Sequence, residues 1–202
     1  GGTWTAPGGG AFDGSFDPSV DAAGVYLYIV QAVDPCPASS AAVTVVVQTA
    51  PNAGENASSA LCSDAANLDL FGVLNGAPQP GGSWTGPDDQ PSTGIFDPAS
   101  SLVGAYSYEV TGLFPCLADA AIVVMSVSQA PDAGGDAAIT LCSNEDPFTL
   151  QSLLTGTPDT DGGWAFPDGT ICNGSVDPPS SPSGAYTYTV LSPAPCLSDQ
   201  AI

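Results

Sequence analysis

Apolar and polar residues alternate most sharply in three seven-residue stretches: GVYLYIV at 24–30, GAYSYEV at 104–110 and GAYTYTV at 184–190. In the second, Tyr106, Tyr108 and Val110 alternate with Ser107 and Glu109, the period-two pattern of a half-buried strand. Around it, residues 50–129 carry further strand signals. Ser59–Cys62 opens the series, and Leu68–Phe71 follows as a strand or a short helical turn. Ser83–Thr85 comes after the Gly81-Gly82 turn, and Gly94–Phe96 stops at Asp97-Pro98, where proline removes a donor and aspartate favours an Asx-turn. A Val-rich strand over Ala121–Ser128 closes it. No apolar stripe of helical period and length occurs. Six or seven short strands separated by turn residues predict an all-β chain built from Ig-like β-sandwiches.

The same pattern returns with a fixed spacing. Trp4, Trp84 and Trp164 are 80 residues apart, each behind a glycine turn. FDPS at 16–19 returns as FDPA at 96–99 and VDPP at 176–179; Cys36, Cys116 and Cys196 share the spacing, as do Cys62 and Cys142. Such internal repetition points to a tandem array. It divides the chain into 1–49, the C-terminal part of a repeat; 50–129, a complete repeat; and 130–202, a repeat without its last strand. Ile202 aligns with Ile122, just ahead of Val123–Val127. A chain opening on Gly1 without an initiating Met reads as a processed or excerpted segment. The open ends fit a window on a longer array, or a subunit whose neighbour supplies the missing strand.

The succession GG-[ST]-W-T, FDP, G-x-Y-x-Y-x-V, PC, a Val-rich strand, AP-[ND]-AG and LCS resembles the repeats of very large surface adhesins of gliding, type IX-secreting bacteria of the Bacteroidetes group. The resemblance covers essentially the whole chain. It implies Ig-like domains strung in series outside the cell, and it brings no catalytic residues with it. Cys172 departs from the pattern: Phe12 and Ser92 stand at its counterpart positions.

Charge narrows the function further. The chain has no Lys, Arg or His and 21 Asp plus Glu, for a net charge of -21. Without cations it has no means of neutralising nucleic-acid phosphates, nor a basic patch for an anionic membrane. Nucleophilic triads and phosphate-binding loops each lose a required member. No stretch approaches the roughly 20 apolar residues of a membrane span. At 43% hydrophobic residues the chain is nonetheless rich enough in apolar side chains to fold.

What chemistry remains rests on cysteines, acids and aromatics. Six cysteines in a turn-rich chain predict disulfides and an oxidising compartment. Pairing within each repeat gives Cys62–Cys116 and Cys142–Cys196, leaving Cys36 and Cys172 for bonds outside the window or between molecules. Glycoside hydrolysis needs only two suitably spaced carboxylates, yet neither Asp88-Asp89 nor Glu145-Asp146 recurs in every repeat, so no enzyme is expected. Calcium is the better use of acids. The candidate ligands are Asp132, Asp136, Glu145 and Asp146, with Asp159 and Asp161 on a nearby loop; otherwise no cofactor is expected. Asn56 and Asn173 head glycosylation sequons. The three tryptophans and the tyrosine pairs fit a core better than a sugar-stacking surface. The expected function is a non-catalytic extracellular adhesin stalk or filament at the cell surface, with a glycan- or calcium-binding adhesin module as the alternative. Its expected partners are like subunits, neighbouring repeats or surface glycans.

Overall fold

The computed structural model describes residues 1–202 and is all-β apart from two short 3-10 turns. No helix is long and apolar enough to cross a membrane. Two compact units divide the chain, Gly1–Asn52 with Val110–Asp119, and Ala53–Glu109 with Ala120–Ile202.

In the first unit, β1 (Thr3–Thr5), β2 (Ala11–Phe12), β3 (Gly24–Val30) and β4 (Ser39–Val45) form an antiparallel sheet in the order β2-β1-β3-β4. The alternation in β3 sets its faces: Tyr26 is buried, while Val25 and Leu27 are exposed. Phe12 and Phe16 pack on Tyr26, with ring centroids 4.6 and 5.7 Å away. β4 is the edge strand, and all of its residues but Val45 are exposed.

The second unit begins with β5 (Ala57–Cys62), β6 (Leu68–Asp69), a 3-10 turn over Leu70–Val73, β7 (Ser83–Thr85), β8 (Pro91–Ser92), β9 (Ile95–Phe96), β10 (Gly104–Val110) and β11 (Asp119–Ser128). The Asp69 carboxylate caps the turn by accepting from the Phe71 amide. Five strands form one sheet, ordered β5-β11-β10-β7-β8, and β6 pairs with β9. On β11, Ala121, Val123 and Met125 are buried while Ile122, Val124 and Ser126 are exposed, so the strand presents one apolar face inward. Phe96 of β9 meets Tyr106 of β10 edge-on at 5.8 Å, and Phe71 meets Tyr108 at 5.5 Å. The β6-β9 pair and the 3-10 turn thus cover the inner face of the large sheet, an arrangement that fits a β-sandwich. Within that sheet β5 runs parallel to β11, with Val123 opposite Ala57 and Ser128 opposite Cys62.

The unit continues with β12 (Phe148–Thr149), a 3-10 turn over Leu150–Ser152, β13 (Gly163–Ala165), β14 (Ile171–Cys172), β15 (Ser175–Val176), β16 (Thr187–Val190) and β17 (Asp199–Ala201). These form a sheet ordered β14-β13-β16-β17 and a β12-β15 pair. Tyr188, Val190, Ala201 and Ala133 are buried together, with Leu154 and Trp164 against them. Residues 137–142, which stand where 57–62 stand 80 positions earlier, form no strand. β5 is a strand because β11 gives its amides and carbonyls partners; nothing in 130–202 takes the place of Val123–Ser128.

Candidate functional site

The aromatic residues are tied into the sheets. Trp84 lies opposite Tyr108 in the β7–β10 register, with ring centroids 5.0 Å apart. Trp4 with Tyr28 and Trp164 with Tyr188 form the same pair at 5.1 and 4.9 Å. The Tyr108 hydroxyl donates to the Gln79 carbonyl at 2.7 Å and accepts from the Gly82 amide at 2.8 Å. The Tyr188 hydroxyl likewise donates to Asp159 and accepts from Gly162, and that of Tyr28 accepts from Gly2. A Cβ on Gly82 would sit 2.6 Å from Tyr108 Cζ, so the turn needs glycine for close approach rather than for its dihedral angles. The other tyrosine of each pair donates to a carbonyl four residues back: Tyr26 to Ala22, Tyr106 to Leu102 and Tyr186 to Pro182, each at 2.8 Å. Burial, helped by the charge of Asp88, pushes the Tyr106 phenol above its usual pKa. Trp84 is buried, whereas Trp4 and Trp164 are half-buried.

The recurring aspartates build turns. Asp97 accepts from the Ala99 amide at 2.9 Å and the Ser100 hydroxyl at 2.8 Å. Asp17 accepts from Ser19, and Asp177 from Ser180, in the same way. The hydrogen bonds from the Ser19 hydroxyl and amide hold the Asp17 carboxyl below its usual pKa, and those from Thr170 do the same for Asp168.

The calcium candidates are not gathered into one group. Asp132 accepts from the Gly134 amide at 2.8 Å, and its own amide donates to Asp159. Asp136 accepts from the Ile202 amide at 2.9 Å, and Glu145 from the Cys142 amide at 3.3 Å. Asp146 is exposed, and no cluster of three or more metal-ligating side chains forms anywhere in the chain. Both sequon asparagines are exposed: Asn56 accepts from the Ile122 amide, and Asn173 from the Ser175 amide. Asp136 therefore does at Ile202 what Asn56 does at Ile122.

The disulfide differs from expectation. One bond forms, Cys62–Cys196, with Cα atoms 4.9 Å apart; Cys36, Cys116, Cys142 and Cys172 are free thiols. The pairs Cys62–Cys116 and Cys142–Cys196 are absent. The reason is the parallel pairing of β5 with β11. Cys62 lies beside Ser128 at the far end of β11, whereas Cys116 precedes its start at Asp119. Cys196 instead comes to the far end of β11, its Sγ 3.5 Å from the carbonyls of Ser128 and Gln129. Cysteine spacing alone does not distinguish a parallel opening strand from an antiparallel one. A disulfide fits a non-cytoplasmic compartment.

Finally, an open groove of about 590 Å³ runs along 137–142, lined among others by Ile139, Leu141, Trp164, Val176, Tyr186 and Ile202. No signal for it stands out in the sequence except the missing closing strand. No protein-family model matches the chain, and no curated protein matches it.

Proposed function

We propose that the chain is part of an extracellular, non-catalytic array of Ig-like β-sandwiches that acts as a surface stalk or filament. The observation that carries this reading is the Trp–Tyr–glycine arrangement, built three times from residues 80 positions apart: Trp4 with Tyr28 and Gly2, Trp84 with Tyr108 and Gly82, Trp164 with Tyr188 and Gly162. Two further features support the Ig-like assignment. Trp84 is buried on a central strand, and Tyr106 at the start of β10 bonds back to the backbone upstream, as a tyrosine corner does. In this reading the work is mechanical: each sandwich supplies length and resistance. The uniform negative charge keeps neighbouring fibres apart and soluble. Electron microscopy of a concatenated array tests it. A rod with a constant axial repeat is the expected image, and globular, unaligned particles would refute it. Glycan binding is the second reading, favoured by Trp164 and Tyr186 on the open groove. Saturable binding on a glycan array, lost in Trp164→Ala, would move the assignment there.

A further inference from the structure

Each of the three tryptophans lies against a glycine in a turn, and the residue before that glycine differs every time. A Cβ on Gly14 would stand 3.1 Å from Trp4 Cδ1, one on Gly94 2.6 Å from Trp84 Cδ1, and one on Gly174 2.5 Å from Trp164 Cδ1. The backbone at these glycines also has positive φ, 94°, 77° and 70°, so both space and conformation require glycine. The preceding residue has a different duty. Its side-chain oxygen accepts from the amide two residues on: Asp13 from Ser15 at 2.8 Å, Thr93 from Ile95 at 3.3 Å and Asn173 from Ser175 at 3.0 Å. Aspartate, threonine and asparagine all serve in such a turn. Only in 130–202 does an asparagine precede the obligatory glycine.

Asn-Gly is the pair in which a side-chain amide reacts most readily with the backbone, because glycine puts no Cβ beside its own nitrogen. Asn173 is exposed, and the ring closed by its hydrogen bond to Ser175 contains both Asn173 Cγ and the Gly174 nitrogen. We propose that Asn173 is a site of spontaneous deamidation in the folded chain. The Gly174 nitrogen gives up its proton to hydroxide and attacks Asn173 Cγ. An N–Cγ bond forms, the Cγ–Nδ2 bond breaks, and Nδ2 takes a proton from water and leaves as ammonia. Water then opens the cyclic imide. Opening at Cγ gives aspartate; opening at the backbone carbonyl gives isoaspartate, with the chain running through Cβ and Cγ. Either product adds a negative charge at neutral pH to a chain already at -21. Aspartate suits the turn, since Asp13 already fills that place beside Trp4. Isoaspartate lengthens the backbone by one carbon and displaces Gly174 from Trp164. Both products erase the acceptor nitrogen of the 173–175 sequon.

Asn75-Gly76 is the other such pair, and its surroundings oppose the reaction. The Asn75 carbonyl accepts from the Glu55 amide at 2.9 Å, and a Cβ on Gly76 would stand 2.9 Å from Glu55 Cγ and 3.4 Å from its Cδ. A carboxylate at that range disfavours a second negative charge on the Gly76 nitrogen. Asn173 therefore reacts first. The reaction needs only this turn and water, so it stands apart from the stalk reading.

The test is to hold the folded 202-residue chain in warm, mildly alkaline buffer made with heavy-oxygen water. Products are separated by anion exchange and mapped by mass spectrometry after pepsin digestion, since trypsin has no site. Later-eluting species should accumulate with time and faster at higher pH, with heavy oxygen incorporated at residue 173 ahead of residue 75. Asn173→Gln should lose the first of these species. Asn173→Asp should co-elute with the aspartate product and keep the melting temperature of the parent, while the isoaspartate form melts lower. An unchanged residue 173 in the folded chain, reaction at Asn75 ahead of it, or an Asn173→Asp variant that melts below the parent would overturn the proposal.

Discussion

Residues 50–129 and 130–202 share their Asp-Pro turns and their Trp–Tyr pair, yet only one of them is closed. With β11 in place, Phe96 and Leu70 are fully buried and β10 runs for seven residues. Where only the three-residue β17 stands in place of the start of β11, β16 runs for four, Tyr186 is half-buried, and the groove opens beside 137–142. The six residues Val123–Ser128 of β11 have no counterpart in 130–202, and their buried face is what gives the opening strand a partner and the aromatic cluster a lid. Burying a side chain the size of Val or Met stabilises by about 1.5–3 kcal/mol. Two such side chains are therefore a large part of the stability of a small domain. Closure of this fold rests on the last strand, while the β13–β16 pairing forms without it.

The largest way to break the contrast is to cut the bond that ties the closed segment to the open one. In the chain-entropy picture, releasing a loop with a sequence separation of 134 costs about 5 kcal/mol. Urea unfolding of the Cys62→Ser, Cys196→Ser variant should show two transitions where the oxidised chain shows one, with 130–202 unfolding first. A single unshifted transition would show that the bond carries no stability. Next in size are the tryptophans. Trp84→Ala should destabilise by about 3–5 kcal/mol, and Trp164→Ala by about half as much, because its site is already open. Equal losses in thermal melts would mean the groove is not open in solution. A synthetic Ala121–Gln129 peptide should occupy the groove and raise the melting temperature. At a hundredfold excess over its dissociation constant it adds about 2.7 kcal/mol. A scrambled peptide of the same composition should do nothing; equal stabilisation by both would remove the strand-completion account.

The smallest effect is in alkali. The Tyr106 phenol has a raised pKa in the folded chain, so the folded state holds its proton longer than the unfolded one. Its contribution to stability is complete below the unfolded phenol value, about 10, and is lost as pH rises through the folded value. Tyr106→Phe should flatten the stability profile above that point. An unchanged profile would assign the alkaline loss to other groups. In acid the sign is opposite for Asp17 and Asp168. Their lowered pKa values give a contribution present above the usual carboxylate range and lost as pH falls through the folded values; both side chains are exposed, so the effect is minor.

Much of this architecture was visible in residue order. The Tyr106–Val110 alternation, the Val-rich closing strand, the Gly-Gly turn before Trp84 and the stop at Asp97-Pro98 all follow from local rules that β7, β9, β10 and β11 obey. Leu68–Phe71 divides between a two-residue strand and a 3-10 turn, both of which the sequence allowed. The disulfide was not legible. Its partners depend on strand direction, and the direction of β5 is fixed by a neighbour far along the chain, not by anything near Cys62. The half-burial of Trp4 and Trp164 also depends on which strands surround them, although their local sequences match that of Trp84. Of the acids, Asp132 and Glu145 accept from backbone amides two and three residues away, as local rules allow, whereas the Asp136 bond to the Ile202 amide spans 66 residues and has no local signal.

The Cys62–Cys196 bond has a consequence that appears only under load. A chain pulled from its two ends can lengthen only through residues outside the covalent loop. The loop of sequence separation 134 withholds roughly 450 Å of extended contour from any force applied along the backbone. Strands β6 to β16 all lie inside it, so tension crosses that stretch through two sulfur atoms rather than through those strands, while β1 to β4 lie outside it. Reduction would free that length to extend, which makes redox state a setting for how far the chain can stretch.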